Sequence, residues 1–283
     1  MDKKMREKID LTVIIPNHNK EKYIVKCIES VLQQTILPKK IIIIDDCSTD
    51  RSIDKILQIE DNENIIRVIP LKENVGVSKA RNIGILEAQT QYITCLDSDD
   101  FYANRGKLEN EWKLIEKNQG CIAYSKLALS DEEDNVQYPQ INRKKYIEGN
   151  IYKRLITGRF SLDAMIRDYV VDKNMVIESG MYNESRNLYE DLELLIKLSM
   201  KYEFLCTGEF GSAYRQTGTG LSNRKRAELI TTRNQIIKEC LPSDRAMAIR
   251  LLVEWRIRFW ADRMKGRGYS IYAYLYRLLK GRN

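Results

Sequence analysis

The stretch Tyr92-Ile93-Thr94-Cys95-Leu96-Asp97-Ser98-Asp99-Asp100 runs from apolar residues into three carboxylates within four positions. The apolar part has the composition of a buried strand. A buried strand end is a poor place for clustered negative charge unless a cation compensates it. Hard divalent ions take oxygen ligands and bridge carboxylates to phosphates, and ligands of open α/β sheets gather at the carboxyl ends of strands. The stretch therefore predicts a strand end that handles a nucleotide diphosphate through a metal, set against the plainer reading of a solvated acidic turn.

Working outward, Leu11-Thr12-Val13-Ile14-Ile15-Pro16 reads as a strand stopped by proline, followed by the polar loop 17–20. Residues 21–34 place Tyr23, Ile24, Cys27, Ile28, Val31 and Leu32 on one helical face. Lys40-Ile41-Ile42-Ile43-Ile44-Asp45 is a second buried strand that ends on Asp45 and Asp46, and Ser48-Thr49-Asp50 reads as the cap of a helix reaching about Ile59. A strand at 65–70, a turn at Asn74–Gly76, a helix through Ala88 and a strand at 91–97 follow. This alternation of near-continuous apolar strands with helices predicts an α/β fold with a mainly parallel sheet covered on both faces. Neither G-x-G-x-x-G after the first strand nor G-x-x-x-x-G-K-[ST] is present.

Further on, 107–118 reads as a helix, 121–129 as a strand, 161–177 as a strand–helix mixture, 188–202 as a helix opening on Glu190-Asp191, and 203–215 as one or two strands. Gly218, Gly220 and Ser222 read as a flexible loop. Residues 226–240, 244–265 and 269–280 read as helices.

Four loop motifs line up behind the strands: Pro16-Asn17-His18-Asn19, Asp45-Asp46-Cys47-Ser48, the segment from Asn74 through Gly76, Lys79 and Arg81 to Gly84, and Asp97-Ser98-Asp99-Asp100. Glu190-Asp191 is a fifth. In this order they resemble the family 2 glycosyltransferases, inverting enzymes of the GT-A fold that use nucleotide-sugars. The resemblance covers about residues 10–222. It implies a catalytic domain over 1–222, with a nucleotide-binding half at 10–105 and an acceptor-binding half at 106–222. Residues 223–283 are then a helical, basic and aromatic extension.

The resemblance also implies roles. Pro16 and His18 would flank the base, with Asn19 in the donor-binding set, and Asp46 would accept its imide N–H, which favours uracil or thymine. Gly76, Lys79 and Arg81 would pass the ribose and phosphates, although Arg81 reads equally well as a structural ion-pair residue. Asp97 would contact the ribose, and Ser98 would belong to the donor-binding set. Asp99, with Asp97, would hold Mn2+ or Mg2+, and Asp100 is a third carboxylate that equally suits a cap. Asp191 would be the general base that deprotonates the acceptor hydroxyl, with Glu190 as its alternative or its pKa-raising neighbour. Relatives often carry a histidine near Tyr214-Arg215. Here there is none, and Arg215 is expected at the diphosphate.

The implied reaction transfers a sugar from a nucleotide-sugar donor, a UDP-sugar by the base contact, to a glycan acceptor of the surface-polysaccharide or lipid-linked type. A nucleotidyltransferase is the other enzyme class compatible with acidic metal ligands on a parallel sheet, but it lacks its Gly-rich phosphate loop here. An inactive relative serving as a binding subunit is the non-enzyme alternative, and the intact acidic motifs argue against it.

Bulk composition is ordinary for a soluble globular protein: 283 residues, 43% apolar and 31% charged. The single histidine, His18, excludes a histidine metal cage or a Ser-His-Asp triad elsewhere. Six scattered cysteines without C-x-x-C read as buried thiols of a reducing compartment. No stretch reaches the ~18 uncharged apolar residues of a spanning helix, and the polar N-terminus has no signal-peptide core, so the expected location is cytoplasmic.

The net charge of +7 is unevenly placed. Residues 224–283 hold 15 Lys/Arg against 5 Asp/Glu, and the other 223 residues hold 32 against 35. Arginines interleaved with Trp255, Phe259, Trp260 and the tyrosines of 269–276 suit an anionic membrane surface contacted through 245–283. They suit packing on the body or a homo-oligomer equally well. No nucleic-acid recognition motif accompanies the charge.

Overall fold

A computed structural model describes residues 6–139, 148–157, 166–186, 188–217 and 226–264. The expected loop at 218–222 and the helix at 269–280 lie outside these residues. The strands and helices of the first half alternate as β1 (Lys8–Asn17), α1 (Ile24–Leu32), β2 (Leu37–Asp45), α2 (Ser52–Leu57), β3 (Ile66–Pro70), α3 (Val77–Glu87) and β4 (Tyr92–Cys95). The next elements are β5 (Phe101–Tyr102), α4 (Lys107–Lys117), β6 (Ile122–Ser130), β7 (Val136–Gln137), α5 (Tyr152–Ile156), β8 (Val171–Asp172) and α6 (Lys173–Glu178). The chain continues through α7 (Glu190–Ser199), β9 (Phe204–Arg215), α8 (Arg226–Glu239) and α9 (Arg245–Met264).

The first sheet has the order β3-β2-β1-β4-β8. Its first four strands are parallel and the two-residue β8 is an antiparallel edge. The side-chain period of two explains its layering. Leu11, Val13, Ile15, Ile41 and Ile43 face α1, where Ile24, Cys27, Ile28 and Val31 are buried. Ile14, Ile42 and Ile44 face the opposite way, against Ala80 and Ile85 of α3. Gly84 lets α3 lie close: a Cβ built there would sit 2.4 Å from Ile14 Cγ2. Because strand order reverses between β1 and β4, a crevice opens at their carboxyl ends. There β1 ends on Asn17, and β4 gives way to Leu96 and the acidic loop. Leu96 N–H still donates to the Ile14 carbonyl at 2.9 Å.

A second, mixed sheet of order β5-β9-β6-β7 stands beside the first and was not expected from the sequence. In it β6 and β9 run parallel, and β5 pairs antiparallel with β9. The stretch 203–215 is a single strand, and the described part of 161–177, residues 166–177, yields β8 and most of α6. The fold is thus α/β, mixed and mainly parallel, as expected, and the second sheet is the part whose strand pairing the sequence left unread. The segment expected as an extension starts by packing on the body. Ile236, Ile237 and Cys240 join the core of Leu194 and Leu198, whereas Met247, Ile249 and Val253 of α9 are exposed. All six cysteines are free, and among the described residues no helix is long and apolar enough to cross a membrane.

Candidate active site

The loop after β2 is built by its own carboxylates. Asp45 is buried and accepts from Asn17 Nδ2 at 2.7 Å, Ser48 Oγ at 2.6 Å and Ser48 N–H at 3.0 Å. Asp46 accepts the N–H groups of Val75 at 2.6 Å and Gly76 at 2.8 Å, one on each oxygen, which ties this loop to the start of α3. Gly76 has φ +86, a conformation costly for any residue with a Cβ, although the space around it is open.

His18 is exposed above this loop, with Nδ1 2.8 Å from the Asp46 carbonyl and Nε2 3.2 Å from Asn19 Nδ2. Asn74 Nδ2 lies 3.1 Å from the same Nδ1, so the ring is held between the β2 loop and the turn before α3. Asn19 Oδ1 accepts from Thr49 N–H at 2.8 Å, so Asn19 shapes the loop as well as bordering it. Pro16 lies in register with Ile44 at the strand end, and Lys79 is exposed on α3.

The acidic loop is a turn closed by Asp100 N–H on the Asp97 carbonyl at 2.9 Å. Each carboxylate has a different counterpart. Asp97 meets Arg81 at 2.5 Å and Arg167 at 3.6 Å. Burial raises its pKa, but the Arg81 and Arg167 guanidiniums outweigh burial and hold the carboxyl below its usual range. Asp99 meets Lys20 Nζ at 2.6 Å. Asp100 is buried and accepts the Arg215 N–H at 2.8 Å; burial and neighbouring Asp99 push its pKa well up. Ser98 is buried within the turn.

Two arginines expected at the phosphates serve the frame instead. Arg81 is buried and bridges Asp97 to Glu190 Oε1 at 2.8 Å, the ion-pair role that the sequence left open. Arg215 is 2% exposed. Its Nε donates to the Asp99 carbonyl at 2.7 Å, its Nη1 meets Asp134 and the Asp131 carbonyl, and its guanidinium lies over Tyr23 and Phe101. It braces the acidic loop from behind and does not offer its charge to the crevice.

Glu190 and Asp191 open α7, where negative charge suits the helix N-terminus. The preceding Tyr189 has φ +61, a strained value for a non-glycine residue. The Glu190 side chain is 10% exposed, and burial, only partly opposed by Arg81, raises its pKa. The Asp191 side chain is 28% exposed, with Oδ2 3.5 Å from Arg167 and Oδ1 accepting from Leu192 N–H at 2.7 Å. The fold thus brings the acidic loop and the start of α7 together, although they lie about ninety residues apart in sequence.

Sequence reasoning missed Lys20 and Arg167. Lys20 sits in the polar loop after β1, and Arg167 in a stretch without clear periodicity. Among the described residues, no group of three or more His, Cys, Asp or Glu side chains is assembled to hold a metal. The oxygen donors of Asp99 and Asp97 suit a hard divalent ion. Each is already paired with a cation, so an ion would have to displace or join Lys20, with phosphate oxygens completing its shell.

A mainly parallel sheet with acidic residues at its switch point defines a Rossmann-like α/β protein. The family model of glycosyl transferase family 2 matches residues 12–174, and the chain belongs to that family. Over 148 residues it is 37% identical to an uncharacterized glycosyltransferase of Haemophilus influenzae, covering 52% of this chain and 57% of that one. It is 26% identical to glycosyltransferase GlyG of Streptococcus pneumoniae, covering 62% and 58%. The chain therefore spans a little over half the length of these curated relatives. Its fold is similar to the crystal structure of S. aureus TarS 1-349 in complex with UDP-GlcNAc, with TM-score 0.69, 18% identity, and coverage of 93% of this chain and 77% of that one.

Proposed function

We propose that this protein is an inverting glycosyltransferase that moves a sugar from a nucleotide-sugar, a UDP-sugar by its base contact, to a hydroxyl of a surface-polysaccharide or lipid-linked glycan. The observation that carries this reading is the meeting of the acidic loop and the start of α7, where Arg167 lies between Asp97 at 3.6 Å and Asp191 at 3.5 Å. Family membership supports it. So do the relatives called glycosyltransferases, and the solved TarS structures of the same fold in complex with UDP and UDP-GlcNAc.

In this reading the 10–105 half binds the donor. Pro16, His18 and Asn19 border the base, and Asp46 keeps acceptor capacity for its imide N–H beyond the two backbone donors it already holds. Gly76 and Lys79 line the path of the ribose and phosphates, and Asp97 and Ser98 meet the ribose. A divalent ion, Mn2+ or Mg2+, held by Asp99 with Asp97, supplies Lewis-acid stabilisation of the departing diphosphate when bound. Asp191 is the general base. It is more open than Glu190, and its one ion pair, to Arg167 at 3.5 Å, is looser than Glu190's to Arg81 at 2.8 Å. Glu190 and Arg81 hold the start of α7 against the donor side. The protein works at the cytoplasmic face, with the basic segment 245–283 in peripheral contact with anionic lipid.

Calorimetric titration of UDP, GDP, CMP and dTDP, each with and without Mn2+, tests the reading. We expect Mn2+-dependent UDP binding that is lost in Asp99→Ala, and slow hydrolysis of one member of a UDP-sugar panel. Binding of GDP in place of UDP overturns the base assignment, and binding of none of the four overturns the enzyme reading.

A further inference from the structure

Arg167 stands between the two halves of the proposed site and has no assigned role. Its Nη2 is 3.6 Å from Asp97 Oδ2 and its Nη1 is 3.5 Å from Asp191 Oδ2. The guanidinium lies over the Tyr214 ring at 4.4 Å. These distances are within ion-pair range but longer than the 2.5 and 2.8 Å that Arg81 makes. Arg81 is clamped in the interior, whereas the Arg167 side chain is 22% exposed to the crevice.

The backbone that presents Arg167 is anchored from the other side. Successive side chains of an extended chain point oppositely. Arg167 enters the crevice, and its neighbour Asp168 enters a buried polar network. There Asp168 Oδ1 lies 3.2 Å from Lys107 Nζ and Oδ2 accepts from Ser212 Oγ. Lys107 is fully buried and also pairs with Glu111 at 2.9 Å, and Ser125 Oγ donates to Glu111 at 2.7 Å. Two residues on, Val170 exchanges backbone hydrogen bonds with Ala123 of β6 at 2.8 and 3.0 Å. A buried charge network of this kind is costly unless every member is satisfied. Here it fixes the segment from which Arg167 projects.

We propose that Arg167 is a positioning residue for the transfer step: one guanidinium, anchored through Asp168, sets the place of the base Asp191 relative to the donor-side carboxylate Asp97. The inference rests on the functional reading above. A single displacement requires the base, the acceptor oxygen and the sugar carbon to be aligned, and misplacement by about 1 Å costs on the order of 100-fold in rate. Arg167 is the group that spans the gap across which that alignment is held.

The test compares wild type, Arg167→Met and Arg167→Lys. Affinity for UDP with Mn2+ is read by calorimetry, and kcat and KM are read on the UDP-sugar that wild type turns over. We expect Arg167→Met to keep UDP affinity and donor KM within about 3-fold while kcat falls by on the order of 100-fold. Arg167→Lys should recover part of kcat, because a single ammonium reaches one carboxylate and not both. An unchanged kcat overturns the proposal while leaving the glycosyltransferase reading intact. Equal losses in UDP affinity and in kcat/KM overturn it as well, since Arg167 would then be a donor ligand.

A cycle of Arg167→Met, Asp191→Asn and the double variant, read as urea midpoints, examines the bridge without turnover. Non-additive losses support it and additive losses overturn it. A wild-type chain that binds no nucleotide overturns the functional reading itself, and the transfer role falls with it.

Discussion

Replacing Arg81 by methionine keeps the aliphatic stem and removes the guanidinium from between Asp97 and Glu190. Removing one partner of a buried ion pair costs ~3–5 kcal/mol, because the charge left behind is uncompensated. The Asp97 side chain is 27% exposed and keeps Arg167, so its share is discounted; Glu190, at 10%, carries most of the cost. The expected loss is therefore near the low end, about 3 kcal/mol. For a protein of this size that lowers Tm by roughly 6–12 °C.

The pH dependence follows from the two carboxyls. Burial already holds Glu190 above the usual carboxylate range, and without Arg81 it rises further. The native state is then penalised above that pKa and relieved as pH falls. Asp97 is held low in the wild type, largely by Arg81, so the stability it contributes above its unfolded pKa is lost on acidification, and the variant has less of it to lose. The Glu190 effect narrows the gap between variant and wild type as pH falls from 8 to 5.5, whereas the Asp97 effect acts only below about pH 4, outside that window. Thermal melts followed by circular dichroism at pH 8 and pH 5.5 measure it. A gap below about 1 kcal/mol at pH 8, or one that stays constant or widens at pH 5.5, refutes the reasoning.

Two further outcomes are expected. Gly84→Ala places a methyl 2.4 Å from Ile14 Cγ2 between α3 and β1; overpacking of this kind costs ~1–3 kcal/mol, and an unchanged urea midpoint would contradict the close approach described here. Lys20→Met removes the ammonium that competes with a metal for Asp99. The pair is partly exposed and worth up to ~1 kcal/mol, so Mn2+ should bind the nucleotide-free variant up to ~5-fold more tightly, by paramagnetic resonance titration. Weaker binding would show that Lys20 assists the ion.

The first sheet was legible because each strand is an apolar run closed by a polar loop, and the helices between them show one apolar face. Ile41–Ile44 and Tyr92–Leu96 needed no tertiary knowledge to read. The second sheet was not legible, because β5 and β7 are two residues long and β9 finds its partners far back in the chain. At the site, the loop carboxylates stood out as charge at the end of apolar strands. Their counterions did not: Lys20 and Arg167 look like ordinary surface residues in one dimension. Arg215 misled for a related reason. Its partners are mostly carbonyl oxygens of Asp99 and Asp131, and backbone acceptors leave no trace in residue identity.

The bond from Arg215 N–H to Asp100 joins positions 115 residues apart. During synthesis, the βαβ units through β4 leave the ribosome well before β9 and can pair while it is still unmade. The acidic loop, however, has its brace only once Arg215 has emerged and β9 has docked beside β5. A nascent chain halted short of residue 204 therefore has an unfinished acidic loop, with Asp100 lacking its backbone donor. In the proposed function, completion of the donor site is thus timed to the synthesis of β9, and a fragment such as 1–203 should lose nucleotide binding.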